Sequence, residues 1–127
     1  MRKTLWTVLA VSLAALAGLA AVPLAAAKDG DVRVSGRCTK ASTVKLKLSE
    51  EDGRIEVEFE VDQNRNGVRW NVVLRRNGAV VRRATRVTRP PSGSFEVRAL
   101  AANRAGADRI TATATRRGER CSAGASF

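Results

Sequence analysis

The run GRIEVEFEVDQNRNGVRWNVVLRRNG, Gly53–Gly78, contains two alternations of apolar and polar residues back to back. Ile55, Val57, Phe59 and Val61 fall on one side of an extended chain, and Arg54, Glu56, Glu58, Glu60 and Asp62 on the other. A side-chain period of two is the signature of a strand with one face buried and one in water. After a polar loop, Val68, Trp70, Val72 and Leu74 repeat the pattern. Ile55, Val57, Phe59, Val61, Trp70, Val72 and Leu74 are therefore expected in the core, and the chain is expected to be all-β.

Upstream of that run, Val44, Leu46 and Leu48 alternate with Lys45 and Lys47. A four-residue turn, Glu50–Gly53, would set Leu48 opposite Ile55, Leu46 opposite Val57 and Val44 opposite Phe59, with Lys47 facing Glu56 and Lys45 facing Glu58. Ile55–Val61 would pair equally well with Val68–Leu74, bringing Glu60 beside Arg69. The pattern allows both a single meandering sheet and a Gln63–Gly67 loop that crosses between the sheets of a sandwich. The crossing is preferred, because about eight short strands in a domain of this size usually divide into two sheets.

Downstream, Asn77-Gly78 predicts a two-residue type I′ turn, since both central positions need positive φ. Continuing that register sets Leu74 opposite Val81, Arg75 opposite Val80, Val73 opposite Arg82 and Arg69 opposite Arg86. It turns Arg83 inward, as on a guarded edge strand. Arg89-Pro90-Pro91-Ser92-Gly93 interrupts the chain before a strand with Phe95, Val97 and Ala99 inward. Leu100–Gly106 has room for one helical turn. Ile110, Ala112 and Ala114 then alternate with Thr111, Thr113 and Thr115, and a turn at Arg117-Gly118 brings Cys121 beside Ala114 and Ala123 beside Ala112. Val32–Cys38 reads as a first, edge strand.

At the start, Arg2 and Lys3 precede an uncharged stretch, Leu5–Ala27, that ends in Ala25-Ala26-Ala27. This is the form of a secretory signal peptide, 1–27, with cleavage expected after Ala27. The alternative is an uncleaved anchor, since the stretch is long enough to span a bilayer. Cleavage leaves one domain, residues 28–127, with no membrane span. Of 23 basic residues, 21 remain against 12 acidic ones, a charge of +9 with no His. Cys38 and Cys121 lie near the two ends of this domain, and export predicts a disulfide between them.

The expected strands, near 43–49, 54–62, 67–76, 79–88, 94–100, 108–116 and 119–126 with a Trp on the third, resemble the immunoglobulin and fibronectin type III sandwich. The absence of any Tyr, and so of a tyrosine corner, departs from that pattern. More narrowly, V-E-F-E-V-D-x-N-x-x-G-x-x-W at Val57–Trp70, P-S-G-S-F-E-V at Pro91–Val97, A-N-x-A-G-A-D-R at Ala102–Arg109 and G-E-x-C at Gly118–Cys121 are similar to a family of small secreted actinobacterial proteins without assigned activity. The resemblance implies secretion and a β-sandwich, and brings no functional residues with it.

Catalytic chemistry finds little support in the sequence. Without His there is no Ser-His or Cys-His pair, and no glycine-rich phosphate loop is present. No enzyme activity and no cofactor are expected. Asp62, Asn64 and Asn66 match the opening of a calcium loop, but position twelve is Val73 and Arg65 sits within it, which favours a plain turn. Glu56, Glu58 and Glu60 fit a charge-paired surface better than a glycosidase pair.

The remaining candidate is Arg69, Arg75, Arg82 and Arg86, expected together on the outer face of one hairpin as an anion-binding patch. The expected partner is an anionic cell-envelope polymer or a secreted or envelope protein. Nucleic acid is disfavoured, because the few aromatic residues are needed inside and leave no stacking platform. Strand addition at a sheet edge and protease inhibition through Arg89-Pro90-Pro91 are the alternatives. If Glu60 neighbours Arg69, the cationic field is cancelled, so the sheet order decides the matter.

Overall fold

The structure, a computed structural model, describes residues 30–127. The expected signal peptide and its cleavage point lie outside the described residues. Among the described residues nine strands form two antiparallel sheets. In chain order they are β1 (Val32–Ser35), β2 (Arg37–Cys38), β3 (Thr43–Glu51), β4 (Arg54–Asp62), β5 (Arg69–Arg76), β6 (Ala79–Val87), β7 (Ser94–Ala102), β8 (Arg109–Arg116) and β9 (Glu119–Ser126). One sheet has the order β1-β3-β4-β7 and the other β2-β9-β8-β5-β6, a β-sandwich. Among the described residues no helix is long and apolar enough to cross a membrane. The Ala-rich segment after Leu100 continues β7 to Ala102 rather than forming a helical turn.

Strand β4 takes β3 on one side and β7 on the other, so the loop after Asp62 does cross the sandwich. The β3–β4 register differs from the expected one by two residues: Leu48 faces Val57, Leu46 faces Phe59, Lys47 faces Glu58 and Lys45 faces Glu60. The turn is the two residues Asp52-Gly53, both at positive φ (48° and 76°), a conformation that Asp tolerates and Gly favours. A slip of two leaves every side chain on its face, which is why apolar patterning alone does not detect it.

All eight expected core residues, Ile55, Val57, Phe59, Val61, Trp70, Val72, Leu74 and Phe95, are buried between the sheets. Trp70 packs on Phe95 with ring centroids 6.3 Å apart and donates its Nε1–H to Gln63 Oε1 at 3.0 Å. The Arg116 guanidinium lies 5.6 Å from the centre of the same indole. The alanines Ala112, Ala114, Ala123 and Ala125 keep the β8–β9 side thin. There Cys38 and Cys121 face each other on β2 and β9 and form the expected disulfide.

The first expected strand is split. At Gly36 the chain leaves β1 in one sheet and enters β2 in the other. A side chain at Gly36 would run into the Ser122 carbonyl oxygen, and would come within 2.6 Å of Val44 Cγ2 and 2.8 Å of Ala123 Cβ, so glycine is required where the two layers converge.

Candidate functional site

The β5–β6 hairpin departs from the expected register in the way that matters most. Asn77-Gly78 makes the turn, with φ of 46° and 84°, and Arg76 faces Ala79 and Arg75 faces Val80. Between Leu74 and Arg75 a β-bulge then shifts the pairing by one, and Leu74 faces Arg82, Val72 faces Ala84 and Trp70 faces Arg86. Of the four expected anion-binding residues, only Arg69 and Arg75 lie on the outer face, while Arg82 and Arg86 are turned to the core side. The physical reason lies in the apolar residues of β6. The bulge keeps Val81 against the core and also brings Ala84 there, where an unbroken ladder would have brought Arg83 and Thr85. Arg83, expected inward, instead faces Val73 on the outer side.

The registers of β2, β9, β8, β5 and β6 combine into a map of that outer face. Arg37, Arg120, Arg69, Arg83, Arg75 and Arg109 ring its perimeter. The interior holds Thr111, Thr113 and Thr115 of β8, with Ser122, Asn71, Thr85 and Val73 beside them, and Val80 and Val87 of β6 are exposed on the same face. Strand spacings of about 4.8 Å and a rise of about 3.4 Å per residue give a face about 19 Å across and about 27 Å along the strands. None of the acidic side chains among the described residues lies on it.

Arginines on the same strands that point inward do have partners. Arg76 binds Asp108 and the Ala102 carbonyl, Arg116 binds Glu119, Arg82 donates to the Arg98 carbonyl and Arg86 to that of Thr85. The six outer guanidinium groups make no ion pair among the described residues. The inward pairs are tight enough to move their acids. The Arg104 backbone N–H, and then Arg76, hold the Asp108 carboxyl below its usual range against the opposing effect of burial. Burial pushes Glu119 upward, but hydrogen bonds from the Ser42 hydroxyl (2.8 Å) and amide (3.1 Å), together with Arg116, outweigh it and leave that carboxyl low.

The opposite sheet carries the balancing charge. On its outer face Lys47 meets Glu58 at 3.3 Å and Asp31 at 3.7 Å, and Arg98 reaches Glu56, Glu58 and Glu96. Desolvation, and then the neighbouring Glu58 and Glu51, raise the Glu56 carboxyl. A groove of ≈ 380 Å³ lies over this face, lined by bases and acids together, and the paired Lys47 and Glu58 form part of its wall. Because β4 belongs to this sheet, Glu60 sits between Lys45 and Glu96 and cannot neutralise Arg69.

The chain matches no family model, no curated protein and no solved structure. What it does must be read from its own surfaces.

The other candidates resolve into local structure. Asp62 Oδ1 accepts the Asn64 amide at 3.0 Å, and Asn64 (φ 57°) and Gly67 (φ 78°) adopt turn conformations. Thr88 accepts the Val68 amide and donates to the Arg65 carbonyl, so the loop Asp62, Asn64, Asn66 is tied together by its own hydrogen bonds. The sulfurs of Cys38 and Cys121 lie near Glu119, but they are bonded to each other. The Arg89-Pro90-Pro91 loop is exposed and closed by hydrogen bonds between Arg89 and Ser94.

Arg37, Arg109 and Arg120 did not stand out in the sequence, although their outward parity was there to read. Each is separated along the chain from the others, and only the β2-β9-β8-β5 order gathers them.

Proposed function

We propose that this protein is a secreted, non-enzymatic binding module that lays the outer face of its five-stranded sheet against an anionic polymer of the cell envelope. Support comes from the sorting of charge. Six arginines that make no ion pair among the described residues surround a centre with several hydroxyls on one face, while the acids lie on the other face, where most of them pair with bases, in inward ion pairs, or at the sandwich ends. Net charge that served solubility alone would not need to be segregated in this way. Guanidinium forks match phosphate, sulfate and carboxylate groups, and threonine hydroxyls match the hydroxyls of a sugar or polyol backbone. An export signal, an immunoglobulin or fibronectin type III type of sandwich, and kinship with the small secreted actinobacterial family belong to the same proposal. The disulfide is compatible with an extracellular site.

The test is binding of the purified domain 28–127 to poly(glycerol phosphate) and to polygalacturonate across a salt series. Affinity is expected to fall with salt, and Arg69→Gln/Arg75→Gln/Arg83→Gln to lower the slope of log K against log salt by up to about one per lost contact. Arg82→Gln/Arg86→Gln removes two charges, against three, from the core side of the same hairpin and is expected to bind nearly as the parent does, while Arg69→Gln/Arg75→Gln, the matched pair on the outer face, is expected to bind more weakly. Equal losses from both sets would reduce the effect to net charge and overturn the face.

A second reading draws on the short β2, which covers only Cys121 and Ser122 and leaves Ala123–Ser126 of β9 without a paired strand on that side among the described residues. A partner strand added there would bind with little dependence on salt.

A further inference from the structure

Gly124 is an anomaly in β9. It sits in mid-strand, where glycine weakens a sheet, yet it does not have the positive φ that would require glycine. What occupies the missing side chain's space is Arg109. A Cβ at Gly124 would lie 2.7 Å from Arg109 Nη2 and 3.2 Å from Arg109 Cζ, so the guanidinium leans across from β8 and rests on the bare backbone of β9. It makes no ion pair there among the described residues. Beside it opens a groove of ≈ 450 Å³ whose walls include Arg37, Arg109, Thr111, Thr113 and Ser122 and whose floor is Gly124. Arg37 enters from the far side because β2 ends at the disulfide two strands away.

We infer that this groove is the specific anion seat of the face, and that it takes a tetrahedral oxyanion, a phosphate or sulfate ester, between Arg37 and Arg109. The inference rests on the face-binding function proposed above and narrows it to one site and one chemistry. Two guanidinium groups and three hydroxyls supply more donors than a carboxylate's two oxygens can accept. The three non-bridging oxygens of a phosphate or sulfate monoester can accept them. Glycine on the floor allows one guanidinium to lie flat and leaves depth for the anion. The groove's volume is in the range of ligand sites and has room for the sugar or polyol that carries the ester.

The experiment is an NMR titration of the isotope-labelled domain with sodium phosphate, sodium sulfate and sodium acetate, each at constant ionic strength. Phosphate or sulfate is expected to give saturable shifts concentrated at Ser122, Gly124 and the Arg109 Nε–H, whereas acetate gives weak ones. Saturation by phosphate alone, or by sulfate alone, identifies which ester the seat selects. Gly124→Val, which fills the floor, and Arg109→Gln, which leaves the backbone unchanged, should each weaken binding about ten-fold or more, as loss of a charge-assisted contact implies. Arg54→Gln, on the opposite sheet, should not. Shifts that rise linearly, spread evenly over the arginine ring and look alike for all three anions would overturn the seat. They would leave the face itself to stand or fall on polymer binding.

Discussion

Gly36 and Gly124 are both strand-region glycines with ordinary backbone angles, and their surroundings predict opposite responses to substitution. At Gly36 a new Cβ meets a backbone oxygen, that of Ser122, as well as two core side chains. None of these can give way without moving a strand. At Gly124 it meets the far end of an arginine, which can swing into water. Gly36→Ala is therefore expected to cost about 1 to 3 kcal/mol, as overpacking does, and to lower the melting midpoint by about 5 °C or more. Gly124→Ala should melt at or above the parent temperature, because alanine is the better strand residue. Thermal melts of the two variants side by side check this, and a native midpoint for Gly36→Ala would mean that the sheet switch is looser than its contacts imply.

At the scale of the element, β8 is held at both ends by a buried carboxylate. Asp108 precedes it and binds Arg76 and the Arg104 amide; Glu119 faces Arg116 across the turn that follows it. Both carboxyls are held below their ordinary values, so their contribution to stability is complete above about pH 5 and is lost as pH falls through their depressed folded values. Glu56, raised by its surroundings, acts in the opposite sense and offsets part of this loss. The melting midpoint should thus hold between pH 7 and 5 and drop below pH 4, and Asp108→Asn should flatten that acid limb while lowering the plateau. An unchanged acid limb in the variant would remove Asp108 from the account. The strands themselves were legible from alternation, and the core from Trp70 and its neighbours. The two registers were not, for different reasons. A two-residue slip at Asp52-Gly53 leaves the apolar pattern unaltered. The bulge opposite Leu74 is chosen by Val81 and Ala84 competing for the core, a packing contest that a strict alternation of two cannot express.

For the whole molecule, the cystine ties the residue just after the sheet switch to the last strand, across a sequence separation of 83. Chain-entropy reasoning assigns the closure of so long a loop about 4 to 5 kcal/mol, a large part of the roughly 5 to 15 kcal/mol of a typical domain. The bridge has a second consequence specific to this fold. It fixes β2, only two residues long, against β9, and so fixes Arg37 beside the Gly124 groove. Without it β2 keeps its two-residue pairing and the flanking hydrogen bonds of Gly36 to Val44 and of Thr39 to Arg120, a short ladder beside the full ones of β5, β6 and β8. Cys38→Ser/Cys121→Ser should therefore melt more than ten degrees lower. At a temperature where it is still folded, it should lose selective binding of phosphate over acetate while keeping salt-dependent binding to the polymer through Arg69, Arg75 and Arg83. A reduced protein that melts normally would deny the bridge its stabilising part. One that melts low but still selects phosphate would show that Arg37 does not need β2 to reach the seat. The cysteines would then support the fold alone, and specificity would rest with Arg109 and the hydroxyls of β8 and β9.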